Sequence, residues 1–147
     1  MGASSSGKPV YEDLLVDQLG DRTYRAVASP GFVLGLAAGD VFELDSAESG
    51  HLTVLERGGN VSVQMYAPHG STVDVDSLRE RFGLLRGWFD GQAKNLVIFT
   101  VPVSAGFHAI EDVVNEYVAS HPGAEWYYGN VYDPADGVTP LNWWVGQ

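Results

Sequence analysis

Leu96-Val97-Ile98-Phe99-Thr100-Val101-Pro102-Val103 decides the fold. The run is apolar and rich in β-branched residues, which fit a pleated surface, so it reads as a buried strand. Ser104-Ala105-Gly106 breaks it. Phe107, Ile110, Val113, Val114, Tyr117 and Val118 then recur at helical spacing, the apolar stripe of a helix lying on a sheet. His121-Pro122-Gly123 stops that helix near Ser120, and Ala124 to Tyr132 follows as a strand dense in aromatic side chains.

Upstream of Leu96, the segment from Leu84 to Phe89 reads as a strand, and Asp90-Gly91 as the turn into the central one. Asp74 to Phe82 predicts a short helix with apolar positions at Val75, Leu78 and Phe82. Asp74 is placed to accept from the free amides of its first turn. Asn60 to Ala67 alternates with period two and predicts a strand with one polar face. Residues 59–133 therefore read β-α-β-β-α-β, the split βαβ arrangement of a ferredoxin-like sandwich, with its first and third strands central.

The first half has a different grammar. Val10 to Leu19, Thr23 to Val27, Val41 to Leu44 and His51 to Glu56 are short strand candidates punctuated by glycine and proline. They predict a small, strongly bent antiparallel sheet or β-barrel over residues 10–58. Phe32 to Asp40 is too apolar for a solvated loop and too glycine-rich for a good helix, so it reads as a buried segment capping that barrel. The fold class is α+β: a small antiparallel β-barrel or sheet, then the ferredoxin-like sandwich. Residues 1–9 read as a flexible tail and 134–147 as a tail packing on the body. Each half alone is small enough to be marginal, so a packed interface is expected near Gly58-Gly59.

Charge narrows the functional classes. The chain carries 19 acidic and 8 basic residues, a net charge of −11, and its bases are scattered from Lys8 to Lys94. Such a chain repels a phosphate backbone, so neither nucleic acid nor an anionic membrane is expected as a partner; a basic protein is. With no cysteine, there is no disulfide framework, thiol nucleophile or cysteine-based zinc site, which fits the cytoplasm. No apolar run approaches the ~20 residues that span a bilayer. The start lacks the basic-then-apolar pattern of a secretory signal.

No catalytic, cofactor or metal site emerges from spacing. His51, His69, His108 and His121 include no pair at metal-ligand spacing on one element. Gly35, Gly39 and Gly58-Gly59 do not make a phosphate loop between a strand and a helix. Asp133-Pro134-Ala135-Asp136-Gly137 lacks the alternating ligands of a calcium loop and reads as a turn. Two features suit a partner surface. Asp40, Glu43, Asp45 and Glu48 cluster around one hairpin, where a cationic partner could meet them. Trp126, Tyr128, Trp143 and Trp144 give aromatic anchors near the end, unless that tail folds back and seals the two halves.

Tyr24-Arg25-Ala26-Val27, Gly35-Leu36-Ala37-Ala38-Gly39-Asp40-Val41, Leu78-Arg79 through Gly87 and Val101-Pro102 together resemble an uncharacterised bacterial family of comparable length. That family is catalogued only as a domain of unknown function. The resemblance implies a small bacterial protein of two parts, and it brings no catalytic residues. Three readings of function follow. The first is a non-catalytic protein-binding module, with an immunity-type partner of a toxin as one form by analogy. The second is a small-molecule-sensing regulatory domain. The third is an enzyme using the acids of residues 40–48.

Overall fold

The protein is described by a computed structural model covering residues 14–31, 33–44 and 52–145, with the backbone alone of residues 2–3 and 9–10. The two short backbone pieces, β1 (Gly2–Ala3) and β2 (Pro9–Val10), form a two-residue antiparallel ladder. β3 (Val16–Gln18), β4 (Thr23–Ala26), β5 (Val41–Leu44) and β6 (Leu52–Glu56) make one antiparallel sheet in that order. The rest runs β7 (Asn60–Tyr66), α1 (Val75–Gly83), β8 (Trp88–Ala93), β9 (Leu96–Pro102), α2 (Phe107–Ser120) and β10 (Glu125–Tyr128). Its sheet is antiparallel in the order β10-β7-β9-β8. The fold is thus mixed α+β, with two helices and two four-stranded antiparallel sheets among the described residues.

The first sheet is open where the sequence also allows a barrel. β3 pairs only β4 and β6 pairs only β5, so among the described residues the two edges do not meet. Closure needs tilted strands staggered around a ring, and a three-residue strand offers little length for that. Its small core gathers Ala26, Leu36 and Phe42, with Tyr24 stacked on Phe42 at 5.7 Å between ring centroids.

β9 earns its central place by burial on both faces. Val97, Phe99 and Val101, with Val61, Val63 and Met65 of β7, pack toward the helices. Leu78 and Phe82 of α1 and Ile110 and Val114 of α2 complete that core, where Phe82 meets Phe99 at 4.9 Å. Each such side chain taken out of water contributes about 2 kcal/mol before entropy is counted. α1 starts as its sequence predicts, with the Asp74 carboxylate accepting the Ser77 amide at 3.3 Å. The Asp74 amide donates to the Tyr117 phenol at 2.8 Å, which ties α1 to α2.

The other face of this sheet carries Ser62, Gln64, Ile98 and Thr100, and it is covered rather than wet. Residues 29–31 and 33–40 cross it. Gln64 Nε2 donates to the Gly31 carbonyl at 2.9 Å, Asn60 Nδ2 to the Ala38 carbonyl at 2.8 Å, and Ser29 Oγ lies 2.6 Å from Thr100 Oγ1. Leu36 meanwhile packs into the first sheet's core. The segment is therefore a wedge between two sheets and not the cap of a barrel. At its tightest crossing, a Cβ on Gly58 would stand 2.5 Å from the carbonyl carbon of Gly39, so only hydrogen fits there.

β8 differs from its sequence reading. Asp90 and Gly91 lie inside the strand, and the turn falls at Lys94 and Asn95, with Lys94 at φ 53°. The register shifts between Phe89 and Gly91, a bulge that aims the Asp90 carboxylate inward at Thr100. Leu84 falls outside the strand, 80% exposed in the turn that follows α1.

Candidate functional site

Among the described residues β10 is an edge strand, paired with β7 on one side only. The Gly129 amide donates to the Ser62 carbonyl at 2.8 Å, and Tyr127 stands opposite Gln64. Alternation then turns the backbone groups of Trp126 and Tyr128 away from β7, toward the free edge. A groove of about 680 Å³ runs along that edge. Trp126 and Tyr128 reach it from the α2 side of the sheet; Tyr66 and Tyr127 reach it from the other. The turn that begins at Tyr132 walls one end.

The aromatic lining is held in place by its own hydrogen bonds. Tyr128 donates to Glu111 Oε2 at 2.8 Å, and Trp126 Nε1 to Asn115 Oδ1 at 3.2 Å, which braces β10 on α2. Trp126 meets Tyr128 edge to face at 4.9 Å, as Tyr66 meets Tyr127 at 5.7 Å. The end wall is an aspartate-built turn. Asp133 Oδ1 accepts the Ala135 amide at 2.9 Å, and Asp136 Oδ1 accepts the amides of Val138 and Thr139, both at 2.9 Å. The Thr139 side chain and amide hold the Asp136 carboxyl below its usual range. Residues 133–137 are thus the turn their sequence predicts.

The groove's phenols keep their protons. Burial, then the hydrogen bond and charge of Glu111, push the Tyr128 phenol far above its ordinary 10.0. Burial raises Tyr66, and the hydrogen bond to Glu125 raises Tyr127. All three are donors and apolar faces rather than bases. The carboxylates of Glu111 and Asp133 line the groove, and among the described residues no Lys, Arg or His does.

The residues singled out from sequence do not form one site. Asp40 is 0% exposed, with its carboxylate accepting the amides of Ala37 at 3.0 Å and Gly58 at 2.9 Å and Arg57 Nη1 at 3.2 Å. It is a buried clasp, not a surface acid. Burial pushes its carboxyl up, against the pull of those amides and of Arg57. Glu43 is exposed on β5, and Asp45, Glu48 and His51 lie outside the described residues. Trp143 donates to the Asn130 carbonyl at 2.9 Å with the Arg57 guanidinium 5.6 Å over its ring, and Trp144 packs on Phe107 at 5.0 Å. Both are spent on the body of the protein. Only Trp126 and Tyr128 of that set meet at the groove.

Three groove residues escape a sequence reading. Tyr66 looks like the end of a strand, Tyr127 like the packed face of one, and Glu111 like a solvated helix position. The signal was the odd-even split of β10, which puts an aromatic on each side of an edge. Asp90 was also missed. It is half-buried, accepts from Thr100 Oγ1 and from Trp88 Nε1 at 3.0 Å, and its carboxyl is raised by that partial burial. The Ala38 amide in turn donates to Ser29 Oγ at 3.0 Å, so this chain of polar groups binds the wedge to the sheet.

The family domain described as DUF4265, a domain of unknown function, matches residues 12–125. The chain belongs to the DUF4265 family. The resemblance read from the glycine-rich segment and Val101-Pro102 is borne out. The DUF4265 match ends at the first residue of β10, so Trp126 to Tyr128 and the end wall lie beyond it. A crystal structure of a hypothetical protein from Neisseria gonorrhoeae has a similar fold, with a TM-score of 0.67 and 14% identity over 86% of this chain and 88% of that one. No curated protein matches the sequence. Among the described residues, no helix is long and apolar enough to cross a membrane.

Proposed function

We propose that this DUF4265 protein is a non-catalytic, cytoplasmic protein-binding module whose partner is basic. The groove beside β10 carries the reading: among the described residues it has an unpaired strand edge, aromatic side chains on both flanks and carboxylates without a cation in the lining. Aromatic anchors over a strand edge give affinity, and the acids select a partner of opposite charge. Neutralising a basic toxin is one form of that role. The strand order β10-β7-β9-β8, which is fourth, first, third and second in chain order, supports reading the second half as a ferredoxin-like sandwich.

Co-purification from the native organism tests the binding reading. A stoichiometric basic protein should accompany the wild type and be lost at high salt and from a Trp126→Ala/Tyr127→Ala double variant. Absence of any stoichiometric partner sinks it. The groove's volume also favours a second reading, a small-molecule-sensing regulatory domain, because about 680 Å³ is the size of an ordinary ligand site. A thermal-shift screen of small metabolites would support that reading with a hit that the same double variant abolishes.

A further inference from the structure

We propose that the free edge of β10 is completed by a fifth strand, supplied by an extended, basic segment of the partner protein. The inference rests on the binding-module reading and names how the partner is held.

The two edges of this sheet are built differently. β8 is blunted by its bulge and by the inward-turned Asp90, two devices that stop an edge from recruiting another chain. β10 reads Glu125-Trp126-Tyr127-Tyr128, with no bulge, proline or lysine. Side chains from both of its faces line one groove, so the open volume lies alongside the strand, where a neighbouring strand would run. A guest residue opposite Trp126 and another opposite Tyr128 would close about four backbone hydrogen bonds.

Charge decides the occupant. Glu111 and Asp133 line the groove, and Glu125 sits at its near end beside Tyr127. A second copy would set these carboxylates against their own images, on a chain of net charge −11. A Lys- or Arg-bearing segment meets them with opposite sign and can lay its cations over the faces of Trp126 and Tyr128. Guest side chains alternate across the sheet, so the bases belong on the α2 face, toward Glu111. Apolar side chains belong on the face of Tyr127 and Leu34.

The probe is a blocked synthetic peptide of alternating lysine and valine, titrated into the full chain by calorimetry and followed by amide hydrogen exchange. Two controls replace each lysine with glutamate, or N-methylate the backbone amides that would face β10. The lysine peptide should bind and slow exchange at the Trp126 and Tyr128 amides about tenfold or more. Either control should lose about tenfold in affinity or more, and Glu111→Lys should lose about fivefold. Equal binding of the N-methylated peptide would overturn strand addition in favour of charge alone. So would protection at another surface, binding by no peptide, or a concentration-dependent dimer protecting the same amides. A co-purified partner that leaves Trp126 and Tyr128 exchanging freely also overturns it, while the binding-module reading stands.

Discussion

Replacing Asp40 by alanine should cost about 3–4 kcal/mol of folding stability, although the sequence places it among the surface acids. The magnitude follows from what its carboxylate holds. Ala37 is fully buried, so its amide, now bonded to Asp40 at 3.0 Å, would be stranded away from water at a cost of about 2 kcal/mol. The Gly58 amide lies at an exposed residue and can turn partly to solvent, so its share is nearer 1 kcal/mol. Arg57 keeps its bond to the Gly35 carbonyl at 2.8 Å and is 19% exposed, which limits its share to about 0.5–1 kcal/mol. For a chain of this length the total corresponds to about 10 °C in the thermal midpoint. Urea unfolding is the assay: the midpoint should fall with an unchanged slope, because the unfolded surface exposed is the same. Glu43→Ala, at an exposed acid on the adjoining strand, is the control and should stay within about 0.5 kcal/mol. A loss below about 1 kcal/mol for Asp40→Ala, or equal losses for both variants, would refute the clasp.

Three further outcomes are expected. Gly58→Ala should destabilise by about 2–3 kcal/mol, since its Cβ would meet the backbone of Gly39 at 2.5–2.6 Å; Gly91→Ala, with nothing within 4 Å, should be near neutral in the same urea assay. Ser62→Ala should be neutral or stabilising by up to about 1 kcal/mol, because the buried Ser62 Oγ has no hydrogen-bond partner among the described residues; a clear loss of stability would show a hidden one. Burial holds the carboxyls of Asp40 and Asp90 above the usual 3.8. Between 3.8 and those raised values the folded state keeps protons that the unfolded chain has released, so their contribution to stability falls as pH rises through that window. Asp90→Asn should flatten its part of that slope in urea midpoints taken across the window, and a wild type that gains stability relative to the variant as pH rises would contradict the direction.

The elements that could be read from sequence are those whose cause is local. α2 ends at Ser120 because His121-Pro122 cannot extend it, and β5 and β7 fall where alternation and glycine put them. Asp74 caps α1 from the position next to it. The misreadings share a different cause. Asp90-Gly91 has turn chemistry by propensity, yet its carboxylate is claimed by Thr100, ten positions on, and the turn moves to Lys94. Asp40 looks like one acid among four in a hairpin, and its burial depends on Gly58 and Arg57, which no local window contains. The tryptophans near the end look alike as anchors. Contacts with Asn130 and Phe107 consume Trp143 and Trp144 and leave Trp126 beside the groove.

The polar stripe of β7 bears most on where function lies. Ser62 and Gln64 alternate with Val61, Val63 and Met65, a pattern that ordinarily marks a sheet with one face in water. Here the helices take the apolar face, and residues 29–31 and 33–40 take the polar one through bonds to Gln64, Thr100 and Asn60. With both faces covered, the second sheet meets solvent at its edges. Of these, β8 is closed by its bulge and by Asp90. What stays open is the side of β10 where Trp126 and Tyr128 turn their backbone outward. On the proposed binding reading, a partner of this half would therefore be recognised by main-chain pairing and by the rings and carboxylates beside that edge, and not by a face of the sheet.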